Sequence, residues 1–245
     1  MVDTPPETAE KRFGRKLVVP LVLLVSGIIA LGFVFRWGKP SKPIQKIVFD
    51  GLVVLTPVDV ISYLGVTSEE GVGEDWKGYE SKLSSHPRIR KIKVRRDPEG
   101  FLNIHIEERV AEFVVHIGSS VYEVDENLEI LSENRVLSDH LIVITGNFPM
   151  GENKIEGTRI LDITKEMRQA LTAYPTLKTR ISEILVEKDG EYTMFLQSPS
   201  RIKVYFGDKL NLYGIRKLYA SLAYLEAESI QATTIDLRGE DAVYH

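Results

Sequence analysis

The chain has 245 residues, 43% of them hydrophobic and 27% charged, with a formal net charge of −4 and no cysteine. That balance belongs to a globular protein rather than a disordered one, and the missing cysteine excludes disulfide staples and thiolate metal sites. Beyond residue 16 the chain holds 27 basic and 32 acidic side chains, a net −5, which argues against general nucleic-acid binding.

Residues 1–16 are polar and contain Pro5 and Pro6. They are too short for a domain and read as a disordered tail. Leu17 to Phe35 then runs LVVPLVLLVSGIIALGFVF, nineteen residues without a charge, fourteen of them Leu, Val, Ile or Phe. As a helix rising about 1.5 Å per residue it spans roughly 28 Å, close to the ~30 Å hydrocarbon core of a bilayer. A signal peptide cleaved near Ala30-Leu31-Gly32 and a buried core helix are the competing readings. The run outlasts a usual signal h-region, continuing through Phe33, Val34 and Phe35, and it has no polar face. It is therefore read as an uncleaved membrane anchor. Lys11, Arg12, Arg15 and Lys16 crowd its N-terminal flank, against Arg36, Lys39 and Lys42 spread beyond it. The positive-inside bias puts residues 1–16 in the cytoplasm and sends the rest across. Residues 36–43, with Pro40 and Pro43, form a stiff linker.

A compact unit is expected over 44–109. Ile47 and Phe49 alternate with polar residues in a first strand that ends at Gly51. Thr56-Pro57-Val58-Asp59 starts a helix, with Val58, Ile61 and Leu64 on one face and a stop at Gly65. A second helix fits Glu74 to Ser85, with Trp76, Tyr79 and Leu83 inward, closed by His86-Pro87. Ile89 to Glu108 then reads as a hairpin around Pro98-Glu99-Gly100. In that register Val94 faces Ile104 and Ile92 faces Ile106, while Lys93 faces His105 and Lys91 faces Glu107. One face packs on the helices and the other is basic and wet.

From Val110 to residue 245 the pattern is strand-rich. Phe113–Ile117 and Val121–Val124 flank Gly118-Ser119-Ser120, and Asp125-Glu126-Asn127 turns into Leu128–Leu131. Leu161, Met167, Leu171 and Tyr174 mark an amphipathic helix ended by Pro175. Strands follow at Ile181–Glu187, Tyr192–Gln197 and Arg201–Phe206. A helix over Leu212 to Glu226 buries Ile215, Leu218, Leu222 and Leu225, and Thr233–Arg238 is the last clear strand. The class is α+β: a single transmembrane helix, a β-α-α-β-β unit, and a mixed β-rich unit with two helices.

The first unit resembles a POTRA domain, and the chain as a whole resembles the FtsQ/DivIB family of bacterial division proteins. Pro87, Ile89, Val94, Arg95, Pro98, Leu102, Ile104, Ile106, Glu108 and Arg109 follow the family's phrase, with Ala111 where it often has Pro and Leu52 where it often has Asn. The Val124-Asp125 hairpin, the Leu141–Gly146 phrase and the closing Asp236-Leu237-Arg238 continue the likeness. The resemblance implies a septal scaffold in the plasma (inner) membrane that recruits the coiled-coil division proteins FtsB and FtsL and helps control septal wall synthesis. It implies other divisome partners, no catalysis and no cofactor. It also places the partner site at the last strand and just beyond it: Thr234, Ile235, Asp236, Leu237, Arg238 and Tyr244.

Nothing in the residues selects a catalytic constellation. The five histidines, His86, His105, His116, His140 and His245, share no metal-ligand spacing, so no metal site is expected. No Gly-x-Ser-x-Gly elbow and no phosphate-cradling glycine loop is present. No small-molecule substrate is expected. Arg88, Arg90, Lys91, Lys93, Arg95 and Arg96 put six cations in nine residues. They read either as a solvated strand face or as a contact for lipid headgroups or an acidic partner, through Lys91, Lys93 and Arg95. If Thr233–Arg238 lies at a sheet edge, its open N–H and C=O groups can accept a partner strand. The alternatives are a POTRA-containing component of protein transport or secretion, and a membrane-anchored hydrolase.

Overall fold

The structure is a computed structural model that describes residues 22–30, 43–66, 76–198 and 200–245. The tail 1–16, both ends of the expected span, most of the linker and the expected helix start at Glu74 lie outside the described residues. Residues 22–30 are helical (α1). Among the described residues no helix is long and apolar enough to cross a membrane.

The first sheet grows from two local decisions. Thr56 caps α2 (Pro57–Leu64): its hydroxyl accepts from the Asp59 amide and Asp59 accepts in return from the Thr56 amide, a reciprocal box with Pro57 at the first position. Gly65, at φ +67°, ends the helix in the left-handed conformation. The Asp97 carboxylate accepts from the Glu99 and Phe101 amides, fixing the turn between β2 (Ile89–Arg96) and β3 (Phe101–Glu108). The hairpin register is the one the alternation predicts, Val94 opposite Ile104 and Lys93 opposite His105. β1 (Lys46–Asp50) lies parallel to β3, giving the order β1-β3-β2, and α3 (Lys77–Ser84) precedes β2.

Leu64, Leu83, Leu102, Ile104 and Ile106 form the core of this unit. The α2 face is a correction: Val58 is 71% exposed, and Val60 fills the core beside Leu64 instead. Gly51, at φ +81°, ends β1 where any Cβ would strike the Ile106 carbonyl oxygen. The loop it starts is pinned by Glu108, whose carboxylate accepts from the consecutive amides of Val53, Val54 and Leu55.

The second sheet has nine strands: β4 (Phe113–Ile117), β5 (Ser120–Val124), β6 (Ile130–Glu133), β7 (Ile142–Thr145), β8 (Ile181–Val186), β9 (Tyr192–Leu196), β10 (Ile202–Gly207), β11 (Thr234–Asp236) and β12 (Val243–Tyr244). Their order is β12-β11-β10-β9-β8-β7-β4-β5-β6, with β4–β7, β7–β8 and β10–β11 parallel. Inward residues such as Val115, Ile144, Ile184 and Val204 share one core with α4 (Thr158–Ala173) and α5 (Leu212–Ala227).

The expected α5 face is the observed one: Ile215, Leu218, Leu222 and Leu225 are all buried. The α4 face differs. Leu161 is half exposed, and Ile160, Ile163, Met167 and Ala170 are the buried set. The turn after β5 also runs longer than Asp125-Glu126-Asn127. Asp125 accepts from the Asn127 and Glu129 amides, so Leu128 sits inside the turn at φ +61° and β6 begins only at Ile130.

Candidate functional site

The sheet edge is not where the sequence pattern puts it. β11 is flanked by β10 on one side and β12 on the other, so Thr234–Asp236 is an inner strand. Two short facts explain the miss. β12 is only two residues long, and the turn before it contains Gly239, Glu240 and Asp241, which carry no strand pattern. The antiparallel pairing is set by reciprocal bonds between Thr234 and His245, each amide donating to the other's carbonyl at 3.0 Å. Because such pairs alternate, Tyr244, opposite Ile235, turns its own N–H and C=O away from β11. The open edge of the nine-stranded sheet on this side is therefore β12.

The six residues assigned to this region split by burial. Ile235 is 0% exposed and Leu237 is 7% exposed; both are core, with no surface to offer. Thr234, Asp236, Arg238 and Tyr244 reach the surface. Arg238 donates to Asp236 through Nη2 at 2.6 Å and Nε at 3.0 Å, and its guanidinium lies 5.1 Å from the centre of the Tyr205 ring. The Arg238 hydrogen bonds hold the Asp236 carboxyl below the usual carboxylate range. Tyr244 stacks on Tyr224 with centroids 6.0 Å apart, and its hydroxyl bonds Ser221 on α5. Beside the open strand Val243 is 49% exposed and Tyr224 50%. An edge with unpaired main-chain groups, flanked by exposed aromatic and aliphatic side chains, is chemically fitted to add a strand from another chain.

The basic strand also separates. Lys91 pairs with Glu107 at 3.0 Å, while Lys93 and Arg95 stand exposed opposite His105 and Asn103. His105 in turn meets Asp50 at 2.8 Å, so the wet face of the first sheet carries two carboxylates among its cations.

Arg88 does not belong to that face at all. It is 1% exposed and paired with Glu123 of β5, itself 0% exposed. Glu123 also accepts from the Ser132 hydroxyl at 2.6 Å and the amides of Leu137 and Ser138 at 3.0 and 2.7 Å. Burial pushes its carboxyl up, but the Ser132 and Ser138 hydrogen bonds and the Arg88 charge outweigh it and leave it below the ordinary range. Arg109 bridges to Asp125 at 3.0 Å and to Glu129, and Arg135 reaches Asp59 at 3.5 Å. Sequence reasoning missed this joint. Its one legible signal was an arginine directly between Pro87 and the strand's first apolar residue. Among the described residues no cluster of three or more His, Asp or Glu side chains is placed to hold a metal ion.

Residues 42–109 match the family model described as a POTRA domain, FtsQ-type. The first sheet with α2 and α3 is therefore a POTRA domain, built in the order β-α-α-β-β. That match covers the POTRA domain alone, and it supports the resemblance of the chain to the FtsQ/DivIB family of division proteins. None of the curated proteins matches the chain.

Proposed function

We propose that this protein is a non-enzymatic, membrane-anchored scaffold of the divisome that captures an FtsB–FtsL-type coiled-coil pair by strand addition at β12. The FtsQ-type POTRA match carries the division assignment. The outward main-chain groups of Tyr244 support the mode of capture. In this reading Leu17–Phe35 anchors the chain, residues 1–16 are cytoplasmic, and 44–245 lies across the plasma (inner) membrane at the septum, helping to control wall synthesis through binding alone. Thr234, Asp236, Arg238 and Tyr244 supply side-chain specificity around the edge. The test is binding of the purified full chain to its own organism's FtsB–FtsL pair, with midcell position of a fluorescent fusion as a second readout. Binding together with midcell enrichment is the expected result. A fusion spread evenly around the envelope, with no binding, removes the division assignment and favours a transport or secretion role.

The same reading gives the exposed Lys91, Lys93 and Arg95 face a place beside anionic headgroups, because the linker tethers the POTRA domain near the bilayer. The triple variant Lys91→Glu, Lys93→Glu, Arg95→Glu is expected to lose most binding to vesicles containing anionic lipid, measured by co-sedimentation with a fragment starting at residue 41. Equal binding by the two forms, or none by either, rejects the lipid contact.

A further inference from the structure

The two sheets do not share an apolar core. One cluster of buried hydrophobic residues draws only on residues 55–106, and the other only on 113–237. Among the described residues the ion pairs that cross between them are Arg88 to Glu123, Arg109 to Asp125 and Glu129, and Arg135 to Asp59. Three of these four pairs involve partly exposed arginines, Arg109 at 29% and Arg135 at 64%. An exposed pair such as Arg135–Asp59 contributes little. The Arg88–Glu123 pair is different, since both members are withdrawn from water.

The pair is also asymmetric. Glu123 is held within its own sheet by the Ser132 hydroxyl and two amides, whether or not Arg88 is present. Among the described residues Arg88 has only Glu123 and, at 3.4 Å, the Ser138 hydroxyl for its guanidinium. Its backbone is fixed to the POTRA side, where its carbonyl accepts from the Arg109 amide at 2.8 Å. A buried guanidinium deprived of its carboxylate gains water only if the sheets part, because each sheet keeps its own core when they do.

We infer that the Arg88–Glu123 pair decides the orientation of the POTRA domain against the nine-stranded sheet: the charged Arg88, the bolt, drives the joint open unless Glu123, its pre-formed seat, is there to receive it. Neutralising the seat opens the joint. Removing the bolt's charge does not, and doing both restores closure. This ordering distinguishes a latch from a pair that merely adds stability, in which both single changes would act alike.

The chain has no cysteine, so a pair can be introduced for spin labelling at two exposed turns, Glu99→Cys and Asp189→Cys. Dipolar distance measurements on the labelled full chain read the joint directly. One narrow distribution is expected for the parent and for Arg88→Met. Glu123→Gln should broaden it, and the double variant Arg88→Met, Glu123→Gln should return it to narrow. Arg88→Glu leaves the seat's hydrogen bonds in place and sets two carboxylates face to face, so it should broaden the distribution even if Glu123→Gln fails to fold. A narrow distribution in Glu123→Gln or in Arg88→Glu overturns the inference. So does a double variant as broad as Glu123→Gln.

Discussion

Ile235→Ala will destabilise the nine-stranded sheet by about 2–5 kcal/mol, the usual cost of emptying a fully buried aliphatic site. Ile235 is 0% exposed, between β10 and β12, with Val204 as its direct neighbour on β10. The change removes apolar contact and leaves a cavity that inner strands cannot easily close. Urea denaturation of the full chain, followed by circular dichroism, reads the loss. Thr234→Ala, one residue away and half-buried, should stay within about 1 kcal/mol. A cost below about 1 kcal/mol for Ile235→Ala would remove Ile235 from the core. The comparison matters for function as well. Poor partner capture by an Ile235 or Leu237 variant reports a damaged sheet and says nothing about contact, whereas Arg238, which is exposed, can be changed without opening the core.

Tyr244→Pro should weaken capture of the FtsB–FtsL pair about ten- to hundredfold relative to Tyr244→Ala. Both variants lose the stack on Tyr224 and the hydroxyl bond to Ser221. Only the proline also deletes the outward N–H, and its ring obstructs an incoming strand on that side. One lost main-chain hydrogen bond is worth roughly 0.5–1.5 kcal/mol, and its blocked neighbours add to that. The pairing of β12 with β11 survives, because the reciprocal bonds run through Thr234 and His245. Calorimetric titration of the pair into each variant measures the difference. Equal affinity of the alanine and proline variants would exclude strand addition at this edge and move the partner to side-chain contacts alone.

The elements with strong local codes were legible without any coordinates. The β2–β3 hairpin is fixed by strict alternation and one Asp-Pro-Glu-Gly turn, since slipping by one residue would set Ile104 against Lys93 or Arg95. The inner face of α5 follows from four apolar residues at helical spacing. The Thr56 cap, the Gly65 stop and the Gly51 break are single-residue signals with one physical meaning each. Where the local code is weak the reading slipped. Val58 and Leu161 are apolar residues at helical spacing that nonetheless face water, and periodicity cannot distinguish them from core until the helix is rotated by its packing.

What the sequence by itself determined is therefore the α+β class, most of the strands and helices, and the POTRA-like phrase over 44–109. All of these rest on interactions between residues near one another in the chain. Only the tertiary structure decided that β11 is an inner strand with β12 as the edge, that Ile235 and Leu237 are core, and that Arg88 leaves the basic face to meet Glu123. Each of those depends on a partner far along the chain: β12 on β11, β11 on β10, Arg88 on a carboxylate 35 positions away. Local propensity carries no record of such pairings, because the free energy that selects them is gained only when the two segments meet.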